Sequence, residues 1–310
     1  MQQHQLELAS FQLPSPVTQI HSPLLKEKQV QLFIKRDELI HPVIQGNKWR
    51  KLKYNVIDAQ QTKQTTLLSF GGAYSNHLHA LAAAGKHFNF KTIGIIRGEQ
   101  HTPPNPCIQD LLDWGMQLKY VTRAEYKNKT SANFIKQLQQ ELGDFYLIPE
   151  GANNPLGIKG CAELLLELQQ NYNEICCEVG SGTMLTALIK NNKTPDTVFT
   201  GFAVMKNPQL ETDIINNLKE SHSIQTQWQI NHDYHFGGFA KTTDELNAFI
   251  IDFKQQFNIQ LEPVYSGKML YGIMDLIKKD HYKKGTKILA IHGGGLQGLR
   301  GFKQLSKIQG

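Results

Sequence analysis

Four cationic side chains crowd into six positions of the stretch IQGNKWRKLKYN, residues 44–55: Lys48, Arg50, Lys51 and Lys53. A lysine amine attacks a carbonyl carbon once it sheds its proton, and desolvation or nearby cations lower the pKa that normally keeps it charged. Helical spacing alone leaves Lys48, Lys51 and Lys53 equivalent candidates for that chemistry, beside the plain reading of a solvated basic helix face. A second kind of chemistry sits in the glycine loops. In VGSGTMLTALIK, Gly180, Ser181, Gly182 and Thr183 stand between an apolar strand and a helix. Glycines let the backbone approach an anion, and the first helical N–H groups with the positive end of the helix dipole hold phosphate. An ordinary strand–helix turn has the same letters. Leu185 stands where the third glycine of the dinucleotide fingerprint belongs, and no G-K-[ST] follows, so neither nucleotide motif is present.

Three more loops carry candidate groups. SFGGAYSNHLHALAAAG (69–85) brings Ser75, Asn76 and His77 to a helix start behind Gly71 and Gly72. They offer hydroxyl, amide and backbone donors to a carboxylate; equally, Ser75 caps the helix and does no more. His77 and His79 are two residues apart and diverge around a helix, so they make no metal pair, and no metal is expected. LEPVYSGKMLYGIMDLI (261–277) leads Tyr265, Ser266 and Gly267 into a helix. Tyr265 is either a proton-transfer group or a packed ring with a satisfied hydroxyl. IHGGGLQG (291–298) places three further glycines after a strand.

The elements that must position these loops alternate along the chain. Strands are expected at VQLFIKRD (30–37), before Gly71, at FKTIGIIRG (90–98), QLKYVT, EICCEV, TVFTGFAVM and TKILAI, and DFYLIPEGANN (144–154) is expected as a strand ending in a polar loop. Helices are expected at 47–61, after Ser75, at PPNPCIQDLLDWG, SANFIKQLQQEL, GIKGCAELLLELQQN, after Thr183 and at TDELNAFIIDFKQQF. Residues 207–243 are polar and carry no clear period. Such alternation implies an α/β architecture with mostly parallel sheets flanked by helices. All four glycine loops are expected directly after strands, where open parallel sheets collect their ligands.

Bulk composition narrows the class. The chain has 310 residues, 40% hydrophobic and 19% charged, ordinary for a globular protein, with no internal repeat or low-complexity tract. The net charge of +6 comes from scattered residues without a basic run, so nucleic-acid binding is not expected. Cys107, Cys161, Cys176 and Cys177 form no C-x-x-C pair and are expected as buried thiols in a reducing compartment. The N-terminus lacks a basic segment followed by an apolar one, and the apolar runs fall far below the ~20 residues of a membrane span. A cytoplasmic, soluble protein without membrane contact is expected.

The segments GNKWRKL (46–52), GGAYSNH (71–77), GSGT (180–183), PVYSGK (263–268) and HGGGLQG (292–298) occur in this order. Together they resemble the pyridoxal-phosphate enzymes that include 1-aminocyclopropane-1-carboxylate deaminase and D-cysteine desulfhydrase. The resemblance runs from about residue 34 to 300. It implies the two-lobed tryptophan-synthase β-subunit-like architecture, fold type II of the pyridoxal-phosphate enzymes. The large domain is expected at 1–51 and 149–310, the small one at 52–148, with the cofactor in the cleft between them. The resemblance also implies a small amino-acid substrate and a homodimer.

Residue by residue, Lys48 matches the lysine that bonds covalently to pyridoxal phosphate, leaving Lys51 as a structural cation and Lys53 as a solvated one. Ser75 matches the residue that contacts the substrate carboxylate and serves as nucleophile or proton relay. Asn76 matches the asparagine on the cofactor's phenolic oxygen, and His77 lies beside them on the substrate side. Gly180, Ser181, Gly182 and Thr183 match the phosphate cup. Tyr265 matches an active-site tyrosine, and Ser266 sits where a side chain meets the pyridine nitrogen. In the deaminase a glutamate stands at the position of Ser266 and a leucine at that of Gly293; in the desulfhydrases both are hydroxylic. Ser266 therefore implies β-elimination of D-cysteine to pyruvate, sulfide and ammonia. Gly293 matches neither pattern at this place in the pocket wall. The family's second tyrosine falls at Phe239, which transfers no proton; Tyr234 comes close only if the loop YHFGGFAK is rearranged. The alternatives are the deaminase, another pyridoxal-phosphate lyase or racemase, and a cofactor-holding protein with little turnover.

Overall fold

The computed structural model describes residues 10–218, 226–302 and 305. Residues 1–9, the start of the N-terminus read above for a leader, and 219–225 of the polar stretch lie outside the described residues. Ten strands run along the described chain: β1 Val17–Ile20, β2 Gln31–Lys35, β3 Thr66–Gly71, β4 Lys91–Arg97, β5 Gln117–Val121, β6 Tyr146–Leu147, β7 Glu174–Val179, β8 Val198–Ala203, β9 Trp228–Asn231 and β10 Lys287–Ile291. They form a six-stranded sheet ordered β1-β2-β10-β7-β8-β9 and a four-stranded sheet ordered β5-β4-β3-β6. Every pairing is parallel except that of β1 with β2. The expected α/β architecture with mostly parallel sheets is therefore present.

The chain divides into two compact units. One holds residues 41–44 and 48–160 with 10–11; the other holds 12–40, 45–47 and the rest from 161. The boundaries thus fall at Lys48 and Gly160, where the sequence reading puts 52 and 148. The first unit carries the four-stranded sheet. Its core joins Leu68, Phe70, Ile93 and Ile95 of the two central strands to Leu138 and Phe145. The second carries the six-stranded sheet. Leu32, Ile34, Ile288 and Ala290 pack there with Leu246, Ile250, Met269 and Ile273 from two helices. β7, EICCEV, is buried at every position, as expected of a central parallel strand covered on both faces.

Local chemistry sets the helix limits. Ser75, Asn105, Ser131 and Thr243 each accept a first-turn N–H on a side-chain oxygen, beginning the helices Asn76–Phe88, Pro106–Asp113, Ala132–Leu142 and Asp244–Phe257. Asn89 and Asn258, in left-handed backbone conformation, end the first and last of these.

Three expectations change. In 144–154 the expected strand is only β6, and the polar loop expected after it holds a short 3-10 turn at Glu150–Ala152. The stretch 207–243 contains the helix Leu210–Leu218 and the edge strand β9. The loop before Tyr265 follows no strand. Its backbone groups are taken by side chains instead: Gln260 O bonds His292, Glu262 N–H donates to Ser266 Oγ, and Pro263 has no N–H to give. The four cysteines are buried, as expected, and none is in a disulfide. No described helix is long and apolar enough to cross a membrane.

Candidate active site

The first unit presents the loop between β3 and the helix Asn76–Phe88. The Ser75 N–H closes a turn on Gly72 O, and Ser75 Oγ accepts the Leu78 N–H at 3.2 Å. Ser75 is thus a helix cap, and its own hydroxyl hydrogen is not consumed by that bond. Ser75 and Asn76 are half-buried, whereas His77 is buried with Nε2 2.8 Å from Ser69 Oγ. Burial, reinforced by the positive charges of Lys48 and Lys51, pushes the His77 imidazole down to about 3. His77 is therefore a neutral ring at any physiological pH. His79 turns elsewhere, to Asp110 at 2.9 Å, and no described group of acids, histidines and cysteines is arranged to hold a metal.

Lys48 lies in the first turn of the helix Gly46–Gln61 and is half-buried, while Arg50 and Lys51 are buried. Lys53 is half-buried beside the Tyr54 ring, so it is less solvated than expected. The helix start is tightly specified. Gly46 has φ +50°, and a Cβ there would lie 2.2 Å from Gly293 O, the same carbonyl that accepts the Asn47 N–H at 3.1 Å. Gln45 Oε1 accepts the N–H groups of Gly295 and Leu296.

The second unit presents the loop between β7 and the helix Thr183–Asn191. Gly182 is the cap residue, with φ +78° and no side-chain hydrogen bond to the helix. A Cβ on Gly182 would come within 2.8 Å of Ile214 Cγ1, so only glycine passes here. Ser181 and Thr183 hydroxyls lie 2.9 Å apart. A helix start that no side chain caps, flanked by two hydroxyls at the carboxyl end of a parallel strand, fits a phosphate monoester.

Also in this unit, Glu262 organises the start of the helix Ser266–Lys278. Its carboxylate accepts the N–H groups of Val264, Tyr265 and Ser266 at 2.7–2.8 Å, and Ser266 Oγ lies 3.3 Å from Oε1. Burial raises the Glu262 pKa against the pull of those N–H donors. Ser266 is fully buried and Tyr265 half-buried. Phe239 meets Tyr265 edge-on, with centroids 6.1 Å apart. Tyr234 is not its substitute: its hydroxyl donates to Asp275 at 2.8 Å, and burial followed by that bond raises its pKa. The buried Lys268 ammonium binds the carbonyls of Val204, His235 and Gly238, and desolvation lowers it to about 8.

Within the first unit, then, Lys48 and His77 are electrostatic neighbours, with Ser75 and Asn76 adjacent in the chain. Within the second, Gly180 faces the Tyr265 ring, 3.5 Å from a Cβ built on the glycine, and Ser266 follows Tyr265. Sequence reasoning missed Glu262 and Lys268. The only signal was an acid and a base flanking PVYSG, which marks no motif by itself.

A family profile described as "Pyridoxal-phosphate dependent enzyme" matches residues 10–294. A protein named "Putative 1-aminocyclopropane-1-carboxylate deaminase" from Pyrococcus abyssi is 28% identical, across 88% of this chain and 87% of its own length. The Arabidopsis thaliana protein named "Bifunctional D-cysteine desulfhydrase/1-aminocyclopropane-1-carboxylate deaminase, mitochondrial" is 29% identical, across 93% of this chain and 77% of its own. A crystal structure described as an "ACC deaminase homologue" superposes with TM-score 0.81 at 26% identity, covering 96% of this chain and 95% of that one. The chain belongs to the pyridoxal-phosphate dependent enzyme family, in its group of 1-aminocyclopropane-1-carboxylate deaminases and D-cysteine desulfhydrases.

Proposed function

We propose that the protein is a D-cysteine desulfhydrase, converting D-cysteine and water to pyruvate, hydrogen sulfide and ammonia. One observation carries the choice within the group: the side chain at 266 is a buried neutral hydroxyl, held from both sides by Glu262, where the deaminase has a carboxylate. Pyridoxal phosphate, the family's cofactor, supplies an electron sink for a carbanion at the substrate α-carbon. A carboxylate at the pyridine nitrogen strengthens that sink, as ring opening of a substrate without an α-hydrogen demands. A serine suffices for loss of a β-substituent after α-proton removal.

Lys48 would hold the cofactor covalently, and its Nζ would take the substrate α-proton. The uncapped helix start at Gly182, with Ser181 and Thr183, would hold the phosphate. Asn76 would donate to the cofactor ring. Ser75, fixed by its capping bond to Leu78, turns its hydroxyl hydrogen to the substrate carboxylate, and Tyr265 lies along the substrate. His77 remains neutral and adds no charge to a step that moves a proton between Lys48 and carbon. Phe239 against Tyr265 contributes an apolar wall and no proton, which disfavours the ring-opening alternative. We expect the active form to be a homodimer.

The cofactor-loaded protein is incubated with D-cysteine, L-cysteine, D-serine and 1-aminocyclopropane-1-carboxylate, and pyruvate, sulfide and ammonia are followed. Sulfide and pyruvate from D-cysteine in equal amounts are expected. Ammonia from the cyclopropane with no turnover of D-cysteine overturns the proposal. Lys48→Ala is expected to abolish the visible cofactor band; a band that persists unchanged removes Lys48 from its role.

A further inference from the structure

The helix Ser266–Lys278 carries a charged side chain that the chemistry above does not use. Lys268 is fully buried, and its Nζ donates to the carbonyls of Val204 at 3.2 Å, His235 at 2.9 Å and Gly238 at 2.8 Å. An ammonium has three N–H donors, so these bonds use all of them, and bonds from a charged donor are the stronger kind. Lys268 thus anchors backbone. Val204 directly follows β8, whereas the other two carbonyls belong to the loop after β9. That loop is tied to the same helix twice more. The Tyr234 hydroxyl donates to Asp275, and the Phe236 ring meets Tyr271 edge-on with centroids 5.0 Å apart. Positions 268, 271 and 275 lie along one helix face. The loop needs this support. Phe236 and Ala240 have φ of +50° and +55°, where a side chain crowds the backbone, with Gly237 at +88° and Gly238 at +127° between them. The next residue, Phe239, is 48% exposed yet stands edge-on to the Tyr265 ring.

We propose that Lys268 is a positioning residue for Tyr265: its ammonium fixes the carbonyls of His235 and Gly238 and so holds Phe239 against the tyrosine ring. Tyr234 and Phe236 fasten the start of the loop, and the Gly238 carbonyl is the last of these anchors before Phe239. Without the ammonium the strained backbone loses its charged donor, and the loop opens from Gly238 onward. Tyr265 then loses its apolar neighbour. For its effect on turnover, the inference rests on the preceding reading, in which Tyr265 lies along the substrate.

Nitration of Tyr265 by tetranitromethane in the cofactor-loaded protein, read by peptide mass spectrometry, tests this directly. Lys268→Met keeps the apolar stem and removes the charge. It is expected to speed the labelling about tenfold, as is Phe239→Ala, and the double variant is expected to be no faster than either alone. Additive effects, or an unchanged rate in Lys268→Met, overturn the proposal. Hydrogen exchange separates a local clip from a merely structural lysine. In Lys268→Met, exchange is expected to quicken at 235–241 while β7 and β8 keep the parent rates; quickening in the strands as well overturns the proposal. Should Lys268→Met fail to fold, Gly238→Ala disturbs the clip from the loop side, since φ is +127° although no neighbour lies within 4 Å of the new Cβ. It is expected to reproduce the faster labelling, and parent-like labelling overturns the proposal. In turnover, KM is expected to rise about fivefold with kcat within about twofold. A fall in kcat with KM unchanged overturns the positioning role. Because labelling needs no substrate, the expected pattern in a protein that does not turn over D-cysteine refutes the desulfhydrase reading alone. Turnover of D-cysteine with unchanged labelling refutes this inference alone.

Discussion

The loops after β3 and β7 share a plan: a buried parallel strand, glycines, a hydroxyl residue, then a helix. They differ at one position. Ser75 caps its helix, its oxygen taking the Leu78 N–H, whereas Gly182 offers its helix no side chain. A capped helix start has fewer backbone donors to spare, so its side chains carry more of any ligand contact. An uncapped one keeps its N–H groups for an anion. The first loop thus suits substrate contacts and the second a phosphate, although their sequences look interchangeable.

The largest test of this contrast is Gly182→Val. With φ at +78° and Ile214 2.8 Å from the new Cβ, the loop must shift, and cofactor affinity is expected to fall about a hundredfold in a fluorescence titration. Affinity within twofold of the parent would break the assignment of the uncapped loop.

Next comes the pH dependence of the capped loop. The His77 imidazole titrates near 3 in the folded chain against 6.5 for an ordinary histidine. Between these values the unfolded chain binds a proton that the folded chain refuses. Its contribution is therefore fully present above the unfolded value and is lost as pH falls from 6.5 toward 3. The slope is at most about 1.4 kcal/mol per pH unit. Denaturant unfolding of His77→Gln should show a shallower fall over this window; an identical slope would remove His77 as its source.

Ser75→Ala should cost about 1 kcal/mol of stability through the lost cap. Ser75→Asn, which keeps a capping oxygen, should recover the stability but not the turnover. Recovery of both would reduce Ser75 to a cap. The smallest effect is expected of Ser181→Ala, which removes one phosphate donor and weakens cofactor binding about fivefold without changing the melting temperature. A loss of stability there would mean that Ser181 supports the loop rather than the ligand.

Much of the fold was legible because its signals are local. Apolar runs such as EICCEV and LLSFG end in glycine, and Ser75, Ser131 and Thr243 mark helix starts by their own chemistry. The polar stretch 207–243 hid β9, an edge strand whose alternation is weak. The loop before Tyr265 was misassigned to a strand end because Ile259 and Leu261 look like strand residues, while the pairing of their neighbours with His292 and Ser266 lies far along the chain or inside the turn.

The sequence by itself determined the α/β alternation and the order of the five motif segments, and the resemblance those segments carry named the candidates Lys48, Ser75, Asn76, Tyr265 and Ser266. Periodicity and glycine placement act over a few residues and can be read directly. Only the tertiary structure decided which groups are engaged. It tied Ser266 to Glu262, turned Tyr234 to Asp275 and set Glu178 against Asn47, 131 residues away in the chain, in the space left by Gly293. Those outcomes depend on which side chains share a volume, and volume is fixed by packing between elements rather than by spacing within them.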